Sequence, residues 1–206
     1  MPSVLLARIT SLLFAIALVG AAPAIATPNA DDARGFVEQV SQEVLDTLED
    51  PNIAREVKAA ELADKLEEVA DMPLVARLVL GRYWRQISPE QQNEYVELFR
   101  EFATASLAAQ FDSFNAASYE ITGAQVVDDR DVVVTTRVAD AASPEVYTVE
   151  WRLRETDGTY KLIDVIGEGI SLVITQRDEF ASVINRQGFD GLLDLLRERV
   201  AELDAA

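Results

Sequence analysis

The pattern of apolar and polar positions divides the chain into three stretches. From Asp31 to Phe111 the apolar residues recur at helical spacing. Phe36, Val37, Val40, Val44, Leu45 and Leu48 share one helix face. That run ends at Asp50-Pro51, where Asp50 is placed to cap a second helix with Pro51 at its first position. Ile53, Val57, Ala60, Leu66 and Val69 carry the second helix. Pro73 opens a short apolar one, Leu74 to Leu80, which Gly81 stops. Ser88-Pro89-Glu90-Gln91 is the best start signal in the chain. Ser88 serves as N-cap, Pro89 as first helical residue, and Gln91 closes a capping box. Behind it, Tyr95, Leu98, Phe99, Phe102, Leu107 and Phe111 form one aromatic-rich face.

The middle stretch changes period from 3.6 to 2. Tyr119-Ile121, Val132-Val134-Thr136-Val138 and Tyr147-Val149-Trp151-Leu153 alternate with polar neighbours. Asp140 to Pro144 and Thr156-Asp157-Gly158-Thr159 read as the turns that follow the second and third strands. A fourth strand, Tyr160 to Ile166, is apolar on both sides after Lys161. Helices return after Gly167-Glu168-Gly169-Ile170-Ser171-Leu172. Phe180, Val183 and Ile184 belong to one, ended by Gly188; Leu192, Leu193, Leu195, Leu196, Val200 and Leu203 belong to the last, with Asp190 as cap. Successive strands with short connections imply an antiparallel meander. The fold class is α+β: a sheet of four strands, or slightly more, covered on one face by N- and C-terminal helices.

Ahead of these elements, Ile9 to Val19 is an apolar run with Arg8 before it and Ala24-Ile25-Ala26 behind it. This order reads as a secretory signal peptide over residues 1–26, cleaved after Ala26. The apolar run is about half the length that spans a bilayer. A single domain, 27–206, follows. At 49% apolar it has material for a real core.

Charge and composition then narrow the chemistry. With 18 Lys+Arg against 36 Asp+Glu the net charge is −18, and loss of Arg8 with the signal peptide makes it −19. Such a chain is repelled by nucleic-acid phosphates, so no nucleic acid is expected as a partner. The sequence has no Cys and no His. Disulfides, thiol nucleophiles, Cys/His zinc sites and Ser-His arrangements are excluded. Gly167-x-Gly169 lacks the third glycine and the βαβ context of a dinucleotide fingerprint. Glu67-Glu68 and Asp128-Asp129 lack calcium-loop spacing and read as solvated faces. Asp164, on an apolar strand, is expected to pair with Arg152 or Arg177, or to sit at a sheet edge. Ser171 reads as a turn or capping hydroxyl. No enzyme, metal site or cofactor is expected.

What stands out is a surplus of large apolar groups on elements that must all cover one sheet. Trp151, Tyr147, Val149, Phe99, Phe102, Leu78 and Leu80 fit either a dry core or the wall of an apolar cavity. Composition does not separate the two.

Several segments together resemble the MlaC family of periplasmic phospholipid carriers, also described as toluene-tolerance or ABC-transporter auxiliary proteins. They are Leu80-Gly81-Arg82-Tyr83-Trp84-Arg85 with the Ser88–Gln92 cap and Leu98-Phe99-Arg100-Glu101-Phe102, then Val149-x-Trp151-Arg152-Leu153 and Tyr160–Val165. Glu168–Leu172, Arg177–Ile184 and Gly188–Leu192 complete the set. Their order and spacing span roughly residues 31–200. The chain departs from the family pattern at Ser106-Leu107, where a Tyr is common. Its nearest rivals are the hopanoid-associated relatives, whose cargo is a polycyclic lipid; a periplasmic adaptor without lipid is the further alternative.

The resemblance implies an apolar pocket between sheet and helices that sequesters acyl chains. It also implies a monomer in the periplasm that shuttles phospholipid between an outer-membrane lipoprotein complex and an inner-membrane ABC transporter with a substrate-binding ring, maintaining outer-membrane lipid asymmetry. The residues expected at the pocket wall are Leu78, Phe99, Phe102, Val149, Trp151, Ile163 and Val165. Glu90, Glu94, Glu97 and Glu101 form one stripe along a helix and are expected to steer docking onto basic partner surfaces.

Overall fold

The computed structural model describes residues 28–110, 116–140 and 145–204; the expected signal peptide and most of the expected Asp140–Pro144 turn lie outside them. Helix α1 spans Ala30–Glu49, with the Asn29 side chain accepting from the Asp31 amide. Helix α2 (Arg55–Val69) begins four residues later than the Asp50-Pro51 signal predicts. The Asp50 carboxylate accepts instead from the Asn52 amide at 2.8 Å, making a local turn that competes with helix initiation.

Helix α3 (Met72–Leu80) is capped by Asp71, whose side chain accepts from the Leu74 amide at 3.0 Å. It ends at Gly81, whose φ of 57° only glycine adopts without strain. A 3₁₀ turn, Gly81–Gln86, leads to the long helix α4 (Pro89–Gln110). The expected capping box is present: Gln91 N–H donates to Ser88 Oγ at 3.3 Å and Ser88 N–H to Gln91 Oε1 at 3.0 Å.

The strands β1 (Ala116–Val126), β2 (Asp131–Asp140), β3 (Val146–Thr156), β4 (Thr159–Gly167) and β5 (Ile170–Ser171) form one antiparallel meander in sequence order. The fifth strand is the small addition to the expected four. Asp157-Gly158 and Glu168-Gly169, all with positive φ, make two-residue hairpin turns, so the Gly167-x-Gly169 segment is a turn. Helix α5 (Leu172–Asp204) is broken at Gly188 (φ 77°, ψ 179°). The two C-terminal helices of the sequence reading therefore abut without a loop.

A bulge in β4 decides which side chains face the helices. Arg152 lies opposite Asp164 and Leu153 opposite Leu162, leaving Ile163 as the extra residue. The alternation slips by one there, so Tyr160, Leu162 and Val165 share the inward face although simple period-2 counting separates Val165 from the other two. Ile163 is buried but belongs to neither apolar cluster of the molecule.

Among the described residues those clusters are two. One lies among α3, α4 and α5, where Tyr95 stacks against Phe99, Phe180 and Phe189, and Phe180 meets the Phe99 ring edge-to-face. The other lies between α1 and the inward face of the sheet: Ala33 and Val37 from the helix, Val132, Val134, Leu153 and Leu162 from the strands. The opposite sheet face is polar. There Asp131 is fully buried under Arg152 and Arg154, at 2.7 and 2.6 Å.

Candidate functional site

The inward face of the sheet is built in cross-strand rows. Val126, Val132, Leu153 and Leu162 form the first row, with Val126 exposed at the β1 edge and the other three buried. Next come Ala124, Val134, Trp151 and Val165, then Ile121, Thr136, Val149 and Gly167, then Tyr119, Val138 and Tyr147. Exposure rises along this series, from Leu153 at 1% through half-buried Trp151 and Val149 to Tyr147 at 40%. Over β2 to β4 one end of the face is therefore buried and the other open.

Helix α1 crosses the face from the β4 edge to β1. Asn29 exchanges backbone hydrogen bonds with the Tyr160 hydroxyl, and the Tyr119 hydroxyl donates to the Glu38 carbonyl. Beside α1, the polar edge of Trp151 is already satisfied. Its indole N–H donates to Thr136 Oγ1 at 2.9 Å, and that hydroxyl donates to the Val149 carbonyl at 3.0 Å. The ring is thus fixed and offers carbon only. Thr136, buried and polar, was not visible as a site residue in the sequence; its place opposite Val149 on a two-period strand is the signal that marks it.

The sequence-expected wall residues separate. Trp151 and Val165 pack in the sheet cluster, and Val149 follows them on the same face. Phe99, Phe102 and half-buried Leu78 lie instead in the helical cluster, with Phe102 against the Phe180 ring. Ala103, the helix neighbour of Phe102, is the one described residue packed against both clusters. Its side chain marks the seam where the sheet cluster and the helical cluster meet.

The open end of the face is rimmed with apolar residues. Val146, Tyr147, Ile170, Leu172 and Ile174 are all exposed. They belong to neighbouring segments, because Gly167 pairs with both Val149 and Ile170, and the Glu168 amide donates to the Thr148 carbonyl. Two surface clefts lie elsewhere and have polar walls: one of about 460 Å³ between α1 and α2 with Glu43, Asp46, Glu61 and Asp64, and one of about 320 Å³ with Glu179, Arg186 and Arg199.

The candidate acid groups have structural roles. Asp164 pairs with neither Arg152 nor Arg177; its carboxylate accepts from Ser171 Oγ at 2.6 Å and the Val173 amide at 3.1 Å, holding the start of α5. Ser171 Oγ in turn accepts from the Ile174 amide, the expected cap. Arg152 pairs with Asp131, which sequence spacing does not reveal because the two meet across strands. Burial alone would raise the Asp131 pKa, but the guanidinium groups of Arg154 and Arg152 hold it below the usual carboxylate range. The acidic stripe on α4 is exposed and partly matched within the chain, Glu94 by Arg197 and Glu97 by Arg100.

Comparison with known proteins supplies the family. The chain is 28% identical to the phospholipid-binding protein from Ralstonia solanacearum, solved in complex with a phospholipid. The two structures superpose with a TM-score of 0.72 over 84% of this chain and 98% of that one. It is 21% identical over 157 residues to the intermembrane phospholipid transport system binding protein MlaC of Haemophilus influenzae, covering 75% of this chain and 72% of that protein. It is 27% identical over 126 residues to the toluene tolerance protein ttg2D of Pseudomonas putida, covering 61% and 58%. The family model described as MlaC protein matches residues 38–198, most of the chain, and the protein belongs to the MlaC family.

Proposed function

We propose that this protein carries phospholipid by its acyl tails. It enters the periplasm by way of a cleaved signal peptide over residues 1–26. There it moves lipid between an outer-membrane lipoprotein complex and an inner-membrane ABC transporter with a substrate-binding ring, in the service of outer-membrane asymmetry. The observation that carries this reading is the divided apolar interior: a sheet face buried at Leu153, open at Tyr147, and distinct from the helical cluster, which it meets at Ala103. The phospholipid bound to the Ralstonia relative of the same fold supports it.

The tails fit this seam on energetic grounds. Each CH₂ removed from water gains about 0.8 kcal/mol, so two long chains left exposed would cost about 20 kcal/mol or more. Trp151, Val149 and Val165 would contact tails directly, with Ile121 and Ala124 on the β1 side. Leu78, Phe99, Phe102 and Ile163 would support the wall from behind. The headgroup would stay at the open rim, in water, and a mixture of headgroups is expected.

Native mass spectrometry of the mature protein, purified from periplasm without detergent, tests this. Glycerophospholipids of mixed headgroup bound one per chain are expected. Only ligand-free protein after gentle extraction would overturn the reading, and a polycyclic lipid in their place would move the cargo to the hopanoid class.

A further inference from the structure

The chain has twice as many carboxylates as bases, yet between Asp71 and Glu90 it has none, and that run carries Arg77, Arg82 and Arg85. No other acid-free run after residue 31 is as long. The fold then brings a second acid-poor segment against it. The Tyr83 hydroxyl donates to Asn185 Oδ1 at 2.8 Å, next to Arg186, and Arg177 Nε donates to the Leu78 carbonyl at 2.9 Å while its stem lies along Gly81. Five arginines from α3, the 3₁₀ turn and α5 thus gather at one end of the helical layer.

Their environment differs from that of six other bases. Lys65, Arg100, Arg152, Arg154, Arg197 and Arg199 are each paired with a carboxylate. Arg77, Arg85 and Arg186 are exposed and make no ion pair among the described residues; Arg82 lies over the Tyr83 ring, 4.9 Å from its centroid. Against these five stands Asp178, since Glu179 is held by Arg199. The platform is stiff, because Tyr83 and Trp84 pack on the helical cluster beneath it. In a 3₁₀ turn residues i and i+3 eclipse, so Arg82 and Arg85 point from one face about 6 Å apart along the axis.

We propose that this arginine face docks the carrier onto an acidic protein surface of one of the two membrane complexes it serves. Arginine with tyrosine and tryptophan is the chemistry of interface hot spots, and guanidinium groups take carboxylates bidentately. An anionic bilayer is the poorer occupant. Both fields decay over a Debye length of about 8 Å, but an extended anionic plane also meets the acidic surface that flanks the arginine face, whereas a protein patch can match that face alone. The inference rests on the carrier reading for the identity of the partners.

The test uses lipid-loaded mature protein and three probes: the purified outer-membrane lipoprotein complex, the purified transporter complex, and phosphatidylethanolamine vesicles containing phosphatidylglycerol. R82E/R85E is compared with R130E/R137E, which changes net charge equally at the β1–β2 turn and on the outer sheet face. R82E/R85E is expected to slow association with one complex about tenfold at low salt and to flatten its salt dependence, with the control within about twofold. R85Q/R186Q, at side chains with no ion pair to lose among the described residues, is expected to slow it about threefold, which keeps the test valid should the double charge reversal misfold. Equal effects of both glutamate pairs, or none on either complex, would overturn the proposal. So would loss of vesicle binding or of self-association in place of complex binding. Lipid load read by native mass spectrometry separates the two readings: an empty wild type fails the carrier, an unchanged on-rate fails the docking face.

Discussion

If tails occupy the sheet side of the seam, the two apolar clusters must respond differently to damage. Phe180 is 1% exposed and touches the rings of Tyr95, Phe99 and Phe102. Phe180→Ala removes a buried aromatic and leaves a cavity, at a cost of about 3–5 kcal/mol. For a chain of this size that lowers Tm by roughly 6–20 °C. The cost falls within a total stability of about 5–15 kcal/mol, so the variant remains folded at low temperature and should still hold lipid.

Val149→Asp acts on the other side. Val149 is half-buried, so in the empty protein an aspartate there reaches water and costs about 1 kcal/mol or less. With a tail in place the carboxylate is desolvated and unpaired, and a penalty of even about 1.4 kcal/mol lowers occupancy tenfold. Thermal unfolding followed by circular dichroism, with the loaded-to-empty ratio from native mass spectrometry, reads both quantities on each variant. A Phe180→Ala protein that is folded but empty, beside a Val149→Asp protein that keeps its lipid, would place the tails among the helices and refute the sheet assignment.

Other consequences are more local. Asp131→Asn leaves Arg152 and Arg154 without their carboxylate and should cost about 2–4 kcal/mol at neutral pH, less than a fully buried pair because Arg152 is 40% exposed. The native pKa of Asp131 is lowered, so its contribution is present above the unfolded value near 3.9 and is lost as pH falls through the native value; urea unfolding of wild type and variant should converge below about pH 4. Gly188→Ala forces a side chain into a glycine-only conformation between the arms of α5 and should lower stability by about 1–3 kcal/mol in the same assay. Tyr95→Phe removes the buried hydroxyl that donates to the Ala76 carbonyl at 3.1 Å, for a loss of about 1 kcal/mol without change in lipid load.

Much of this architecture can be read from local pattern. The Ser88–Gln91 box, the Gly81 stop, the period-2 strands and the Gly188 break all act within a few residues, where backbone sterics and capping decide the outcome. The misreadings come from contacts that local pattern does not encode. Asp50 chose a turn over a helix cap. One bulge moved Ile163 out of the row that period-2 counting gives it. Phe99 and Phe102 show the same limit on a larger scale: an apolar face on α4 announces burial but not whether a sheet or another helix covers it, and here α5 does. Asp164, whose partners arrive from a segment seven to nine residues on, and Asp131, whose partners arrive from another strand, needed the fold itself.

The same energetics that demand a sheltered face also limit what that face can achieve. On the carrier reading, tails in the seam and tails in a bilayer are both out of water, so the large gain from burial cancels when the two are compared. The remaining difference comes from packing and from the open end at Tyr147, Ile170 and Leu172, where part of the lipid still meets solvent. A pocket of this kind holds lipid securely against water while remaining close to balance against a membrane. On that reading direction comes from the proposed receiving complexes, each of which would release cargo by stabilising the empty carrier more than the loaded one. On the same reading, the mature net charge of −19 keeps the loaded protein from settling on anionic bilayers between these encounters. An arginine face within that acidic surface gives the encounter a fixed orientation, which a uniform negative field does not.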